Sequence, residues 1–364
     1  MMKSFPCSII ITALLVIMLS PGCSKKGVYD YSSPFLPSLN TGLQPPLRCL
    51  WKTRLPSAVT IQPQLIDHFL IVPDGYKQME FIDPAQGKVF HKLKLGGTIC
   101  HPILITDDMA VIAVSKTLKS NLTVYQLRQN KTLFKGRIRK EISSMFAVDS
   151  MAYIQDDKNY LHRLDLKRFT LTRGNQWPGR IIAPPIIRDN RVYGLTENGF
   201  VIIWDPITQR IIRQQELRQF FRHPILVHEN RLWVFDLKGG IHILEPDSLQ
   251  VIRRDTLPFP PAIAPIADGD RIMLVLDDHS VMSYTDQTIR HHHQFPERIS
   301  SIQAVDSSWL ISTLSGKIQL WDNAIQNLIW ETHTTGMIAT APLRRSSRIF
   351  FFTSDRNAFC YGSE

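Results

Sequence analysis

A run of three histidines and two pairs of aspartates are the side chains that come nearest to a site for metal or acid–base chemistry. The run is His291-His292-His293, just before a loop at Pro296. Adjacent residues of a strand point to opposite faces of the sheet, so these imidazoles are poorly placed to bind one metal ion together. Asp156-Asp157 and Asp277-Asp278 occupy turn positions between strands, where aspartate is favoured for backbone reasons. We therefore expect a solvated strand end at the histidines and no metal site.

The rest of the 364 residues offers no catalytic or cofactor-binding motif. There is no Gly-rich phosphate loop, no nucleophile elbow and no paired Cys-x-x-Cys site. The net charge is +10, but the basic residues are scattered and no aromatic and basic cluster matches a nucleic-acid motif. The charge instead favours an anionic membrane surface or an acidic partner protein. We expect a protein that is not an enzyme and has no catalytic residue, cofactor, small-molecule substrate or nucleic-acid partner.

The N-terminus carries an export signal. Lys3 precedes an apolar run from Ile9 to Leu19, which is short for a membrane span and suits the core of a signal peptide, predicted over 1–22. The following Leu19-Ser20-Pro21-Gly22-Cys23 resembles the lipobox of bacterial lipoproteins, in which the cysteine is lipidated and becomes the mature N-terminus. Leu19 lies one place further from Cys23 than the usual leucine, and Pro21 is unusual there. An uncleaved anchor, or an ordinary signal peptide with a chance cysteine, is the alternative.

A lipidated N-terminus and a flexible tether are predicted over residues 23–46, which are rich in Ser, Pro, Gly and Asn and lack a periodic apolar pattern. Ser24, rather than an aspartate, follows the cysteine. By resemblance to enterobacterial sorting, this implies a protein held by its lipid at the periplasmic face of the outer membrane.

A repeat governs residues 47–364. A proline or serine followed by apolar residues returns eight times, at intervals of 36 to 42 residues. The eight positions are Pro63, Pro102, Ser144, Pro185, Pro224, Pro265, Ser301 and Pro342. An interval of about 40 residues built of short strands is typical of a propeller blade.

Each repeat reads as four short strands joined by turns. The fourth has Ile186-Ile187, a turn at Asp189-Asn190, a second strand, a turn at Glu197-Asn198-Gly199, the strand Phe200 to Trp204, and a last strand from Gln209 to Gln215. A single blade cannot bury both faces of its sheet, so neighbours must stack and the ring must close. The sequence therefore predicts an all-β, eight-bladed propeller with four-stranded antiparallel blades.

Ring closure is predicted to involve both ends of the domain. The eighth repeat supplies three strands before Glu364, and Leu47 to Leu55 reads like the missing outer strand. Cys49 and Cys360 fall on the two strands that would pair, so a disulfide there is one prediction for an oxidising periplasm. The alternative is that the register is wrong and both cysteines are buried as small apolar residues.

The repeat resembles the pyrroloquinoline-quinone-type propeller family. The resemblance covers residues 47–364 and rests on the repeat proline, a turn with glycine, Val201-Ile202-Ile203-Trp204-Asp205 or Ile318-Gln319-Leu320-Trp321-Asp322, and a last strand such as Asn327 to Glu331. Quinoprotein dehydrogenases in this family are longer and hold a quinone and calcium through ligands that are not found here. The lipobox, tether and eight repeats resemble instead the BamB family, whose members are non-enzymatic lipoproteins of the outer-membrane β-barrel assembly machinery.

That resemblance implies a partner surface. In the BamB family, loops entering the fourth and fifth blades bind BamA, within a complex that contains other assembly subunits. Arg180 matches the arginine of the fourth-blade loop, and Trp177 takes the place of a leucine. The fifth-blade loop has Gln219 and Phe221 where the family has an acidic pair.

Large aromatic and arginine residues nevertheless mark a contact surface on these loops. The candidate partner-binding residues are Trp177, Arg180, Arg218, Phe220, Phe221 and Arg222. One of the two adjacent phenylalanines could instead pack beneath the loop, since neighbours in sequence point in opposite directions. A scaffold of another envelope complex, such as a secretion apparatus, and a periplasmic quinoprotein are the alternative functions.

Overall fold

The part of the chain that the structure describes is built of short antiparallel strands. The computed structural model describes residues 42–66, 69–74, 77–99, 101–116, 119–285 and 288–363. Among these residues no helix is long and apolar enough to cross a membrane. The strands are β1 (Arg48–Arg54), β2 (Gln64–Ile66), β3 (Phe69–Pro73), β4 (Gln78–Ile82), β5 (Val89–Lys94), β6 (Thr98–Ile99), β7 (Leu104–Thr106), β8 (Met109–Lys116), β9 (Lys119–Gln126), β10 (Lys131–Ile138), β11 (Ile142–Val148), β12 (Met151–Asp156), β13 (Tyr160–Asp165), β14 (Thr170–Gln176), β15 (Ile181–Arg188), β16 (Arg191–Thr196), β17 (Phe200–Asp205), β18 (Arg210–Glu216), β19 (Leu226–His228), β20 (Arg231–Phe235), β21 (Gly240–Leu244), β22 (Val251–Thr256), β23 (Ile266–Asp268), β24 (Arg271–Val275), β25 (Ser280–Thr285), β26 (Thr288–Gln294), β27 (Ile299–Val305), β28 (Ser308–Thr313), β29 (Lys317–Asp322), β30 (Leu328–His333), β31 (Leu343–Arg345), β32 (Arg348–Phe352) and β33 (Asn357–Gly362).

These strands form eight sheets, the blades of a propeller. Blade 1 consists of β2 to β5 and blade 2 of β6 to β10, and blades 3 to 7 follow with four strands each from β11 to β30. In blade 2 the innermost position is taken by two short strands, β6 and β7, which both pair with β8. Blade 8 combines β31, β32 and β33 with β1. The eight-bladed fold predicted from the repeat is confirmed.

Turn chemistry explains why each blade folds on itself. Asp189 and Asn190, between β15 and β16, have φ of 50° and 57°. Left-handed backbone at both central residues matches the twist of a two-residue hairpin, and aspartate and asparagine tolerate it well. Gly199, in the next turn of the same blade, has φ of 95°, which favours glycine. Both turns lie where the sequence predicts them.

The core lies between the blades. The two middle strands of a blade are almost wholly buried, as in β16 and β17 of blade 4. One apolar cluster joins Val201 and Ile203 of blade 4 to Leu232 and Val234 of blade 5, and every blade shares such clusters with its neighbours. Stacking of neighbouring blades therefore supplies the burial that one sheet lacks.

The N-terminal strand closes the ring, as predicted. β1 pairs antiparallel with β33, from Arg48 opposite Gly362 to Arg54 opposite Asn357. Just before this strand, the Leu43 N–H donates a hydrogen bond to the Asp306 carboxylate at 3.0 Å, and its side chain packs on the blade 7 and blade 8 cluster. Residues 42–46, which the sequence assigns to the tether, thus contact blade 7.

The predicted disulfide between Cys49 and Cys360 is not formed. Cys49 lies opposite Tyr361, whereas Cys360 lies opposite Trp51, on the far side of a β-bulge. Because consecutive residues of β33 face opposite sides of the sheet, Cys49 is exposed while Cys360 is buried. Burial raises the pKa of the Cys360 thiol to about 12, so the group stays protonated. The two strands pair as predicted, but the predicted cross-link is wrong because of the register.

A buried aspartate organises the turn between β20 and β21. The Asp236 carboxylate accepts hydrogen bonds from the N–H groups of Lys238 and Gly240, at 2.8 Å each, and from His242 Nε2 at 3.0 Å. Blade 3 repeats the arrangement with Asp156 and His162, also 3.0 Å apart. Burial acts to raise the pKa of the Asp236 carboxyl, but the hydrogen bonds outweigh burial and the pKa is lowered.

We expect Asp236→Asn to lower the free energy of unfolding by about 1–3 kcal/mol at pH 6, because charge-assisted hydrogen bonds are lost. The folded-state pKa lies below the unfolded value of about 3.9, so the wild-type advantage is present above that pH and shrinks as the pH falls through the folded pKa. Urea denaturation of both proteins at pH 6 and pH 3 measures it. The same difference at both pH values would contradict this account.

Candidate partner-binding face

One end of the propeller is formed by loops that repeat from blade to blade. We call it the loop face: it comprises the loops from the outermost strand of a blade to the innermost strand of the next, and the turns between second and third strands. A backbone hydrogen bond joins the first residue of a loop to the neighbouring turn of the same blade. The Leu217 N–H donates to the Gly199 carbonyl at 2.9 Å, and the Leu257 N–H donates to the Gly239 carbonyl at 2.8 Å. Leu55, Leu95, Trp177, Phe295 and Thr334 make the same bond.

Numbering from that first residue, positions 1 and 5 of every loop are buried. Position 1 is occupied in chain order by Leu55, Leu95, Ile138, Trp177, Leu217, Leu257, Phe295 and Thr334. Position 5 is occupied by Val59, Ile99, Ile142, Ile181, Phe221, Pro261, Ile299 and Ile338. Position 4 points outward in most loops, as at Arg180, Phe220 and Met337. The side chain at position 4 is therefore free to differ between blades without disturbing the core.

Trp177 occupies position 1 and is only 3% exposed, so its prediction as an exposed contact residue is wrong. Its ring lies 5.9 Å from that of Trp204, and a Cβ added at Gly194 would come within 2.8 Å of it. The tryptophan fills the core space that leucine fills in the loops beginning at Leu217 and Leu257.

Of the two adjacent phenylalanines, one is exposed and the other packs beneath the loop, as the alternative interpretation allowed. Phe220, at position 4, is 67% exposed, whereas Phe221, at position 5, is 2% exposed. The Phe221 ring lies 5.9 Å from the His242 ring, and its N–H donates to the Glu197 carbonyl at 3.1 Å. Only Phe220 remains available to a partner, and the assignment of Phe221 is wrong.

The three arginines have different environments. Arg180 is half exposed and lies 3.5 Å from the Glu197 carboxylate, and Arg218 is exposed at a left-handed backbone position with φ of 57°. Arg222 donates to the Asp277 carboxylate at 2.9 Å and to the Pro261 carbonyl. It therefore ties its own loop to the next one, and Arg180 and Arg218 are the freer cations.

Two exposed apolar residues beside Phe220 were missed by the sequence reasoning. Leu237 is 44% exposed and its N–H donates to the Phe220 carbonyl at 3.0 Å. Phe259 is 47% exposed, and its backbone lies 3.4 Å from the Cβ position of Gly239, two residues after Leu237. We call Phe220, Leu237 and Phe259 the apolar patch. The available signal was a large apolar residue at a turn or loop tip where most of the other repeats have a polar residue or glycine.

The histidine run contributes to the rim and not to this face. His292 is the extra residue of a bulge between β25 and β26 and contacts Ser283 Oγ at 2.8 Å, whereas the His293 ring lies 4.7 Å from that of Trp321. Among the residues that the structure describes, no group of three His, Cys, Asp or Glu side chains is arranged to hold a metal ion.

Comparison with known proteins identifies the architecture. No protein-family model and no curated protein sequence matches this chain. The crystal structure of BamB from Moraxella catarrhalis superposes with a TM-score of 0.70 at 12% identity, covering 87% of this chain and all of that one (100%). The computationally designed Ika8 protein gives 0.71 at 11% identity, covering 85% and 98% of the two chains. Sqt1 from Saccharomyces cerevisiae gives 0.66 at 9% identity, covering 87% and 99%. At these identities the likeness is one of fold.

We expect Trp177→Ala to lower the free energy of unfolding by about 3–5 kcal/mol, because it leaves a cavity where the tryptophan packs. Arg180→Ala, three residues away on the same loop, should cost less than about 1 kcal/mol, since it removes a surface ion pair with Glu197 and a long, exposed hydrogen bond to the Ser143 carbonyl. Urea denaturation of both variants provides the measurement. If Trp177→Ala is as stable as Arg180→Ala, the assignment of position 1 to the core is contradicted.

Proposed function

We propose that this protein is a non-enzymatic, lipid-anchored scaffold of the bacterial outer membrane, similar in role to BamB, that binds a periplasmic partner through its loop face. The observation that carries the proposal is the apolar patch on adjoining loops of one face of a propeller. The BamB-like fold, the export signal and the lipobox at Cys23 support it.

The composition of this patch suits a protein partner. Aromatic and arginine residues contribute most to binding energy at protein interfaces. Phe220 and Phe259 project from loops at the ends of blades 4 and 5, and Leu237 lies on the turn between them. Arg218 and Lys238 are exposed nearby, so an apolar centre with a cationic border would meet a partner surface that is apolar with acidic residues around it.

The course of the chain leaves this face accessible. Each innermost strand begins at the loop face and ends at the opposite end of the propeller. Leu43 binds Asp306, which lies in the turn at the far end of β27. The chain therefore enters the domain at the end opposite the apolar patch, so the entering segment does not cover the patch.

The loops also support a second candidate, a scaffold of a different envelope complex such as a secretion apparatus. Where the BamB family carries an acidic pair, this chain has Gln219 and Phe221, and Phe221 is buried. A contact with BamA would have to rely on Arg180, Arg218 and the apolar patch instead. This difference is the specific reason to keep the second complex as a candidate.

We expect Phe220→Ala/Phe259→Ala to reduce recovery of the partner at least about tenfold, because two aromatic contacts worth about 1 kcal/mol or more each are lost. The experiment crosslinks the tagged full-length protein mildly in its own envelope and quantifies what co-purifies. Ile207→Ala is the matched control: Ile207 is 79% exposed, on a turn at the opposite end of blade 4.

Recovery of a BamA-like protein and other assembly subunits would support the BamB-like role, and a different set of envelope proteins would support the second complex. Equal recovery by the double variant and the Ile207→Ala control would remove the apolar patch as the binding surface. Recovery of no envelope protein by the wild type would overturn the scaffold role itself.

A further inference from the structure

A cavity of about 560 Å³ lies between blades 1 and 2 at the outer edge of the propeller. Its lining comes from the end of β5, the start of the following loop, and strands β8, β9 and β10 of blade 2. Leu93, Leu95 and Val114 provide an apolar floor. The next gap, between blades 2 and 3, holds Phe134 and Phe169, whose rings stack 6.4 Å apart. The size of the first cavity is within the range of small-ligand pockets.

One wall of the cavity presents polar groups in register. Lys135 lies opposite Thr123, and Arg137 lies opposite Asn121, in the antiparallel pair of β10 and β9. Cross-strand partners share a face of the sheet, so all four side chains are on the side that lines the cavity. Lys94 of blade 1 lines the same cavity. Two neighbouring blades thus direct cations and hydrogen-bond donors to one place.

The charge around the cavity is of one sign. The lining includes Lys94, Lys135 and Arg137 and no carboxylate. Among the described residues, none of the three forms an ion pair with a carboxylate, whereas Lys92 on the same strand β5 pairs with Glu80 at 2.9 Å. Three like charges held together without a counter-charge favour binding of an anion.

The outer strands explain the basic character of the whole protein. The eight outermost strands carry fourteen Lys or Arg residues and three Asp or Glu residues, an excess close to the net charge of +10. β5 and β10, which border the cavity, carry five of the cations and no carboxylate. The positive charge therefore lies on the rim, and at the cavity it adjoins a cleft that is open to solvent.

From this geometry we infer a binding site for a phosphate monoester or diester that carries an apolar group, with the phosphate held by Lys94, Lys135 and Arg137 and the apolar part on the leucine floor. Arginine and lysine are the side chains that bind phosphate oxygens, and the Thr123 hydroxyl and Asn121 amide add uncharged hydrogen bonds. Such a phosphate could belong to a lipid headgroup or to a free phosphate ester. The site is independent of the loop-face patch, which lies on blades 4 to 6.

The test is isothermal titration calorimetry of the full-length protein in a nonionic detergent. The probes are dihexanoyl phosphatidic acid, inorganic phosphate and, as a neutral control, dihexanoyl phosphatidylcholine. Lys135→Ala/Arg137→Ala is compared with Arg254→Ala/Arg290→Ala, which removes two exposed cations from the outer strands of blades 5 and 6. Thermal melting establishes that both variants fold.

We expect phosphatidic acid to bind the wild type and the Arg254→Ala/Arg290→Ala variant within about twofold of each other, and Lys135→Ala/Arg137→Ala at least about tenfold more weakly, since two charge-assisted contacts are lost. Tighter binding of phosphatidic acid than of inorganic phosphate supports an ester whose apolar part lies on the leucine floor. Equal binding would identify a site for free phosphate and would contradict the apolar part of the inference. Absence of binding to the wild type, or equal weakening in both variants, would overturn the inference.

Discussion

The pairing of β1 with β33 is the interaction on which the rest of the structure depends. Each blade buries its faces only against its neighbours, so an open series of eight blades would leave apolar surface and strand edges exposed at both ends. β1 supplies the fourth strand of blade 8, and Leu43 and Leu47 extend the contact to blade 7. Closure thereby lets every blade bury both faces against its neighbours, which stabilises the blades together and fixes the positions of the loops.

In the closed ring, the loop residues that stabilise the core differ from the loop residues that are exposed to solvent. Loop positions 1 and 5 are buried in every blade, and the N–H of position 1 is bonded to the adjoining turn in seven of the eight loops. Position 4 and the turn tips project outward, and there the chain places Arg180, Phe220 and Leu237 without cost to the core. The rim has a different character, because its outer strands carry most of the positive charge. The same scaffold therefore presents an apolar patch on its loop face and a cationic rim.

The sequence was sufficient for the fold and insufficient for the side chains at its surface. The period of the repeat and the turn residues predicted the eight blades, and the incomplete last repeat predicted ring closure. The disulfide prediction failed because Cys49 lies opposite Tyr361 rather than Cys360, beside a bulge in β1. Trp177 was wrongly predicted to be exposed because its equivalence to the buried first residue of the other loops is evident only when the loops are superposed. Phe259 and Leu237 were missed because their exposure depends on contacts between consecutive loops.

Site-specific photocrosslinking in the native envelope tests the central claim, that the loop face is the binding surface, most directly. A photoreactive amino acid replaces Phe220 in one protein and Ile207, exposed at the opposite end of blade 4, in another. We expect position 220 to form a discrete crosslink to an envelope protein and position 207 to form none. Equal crosslinking from both positions, or crosslinking from position 207 alone, would contradict the claim.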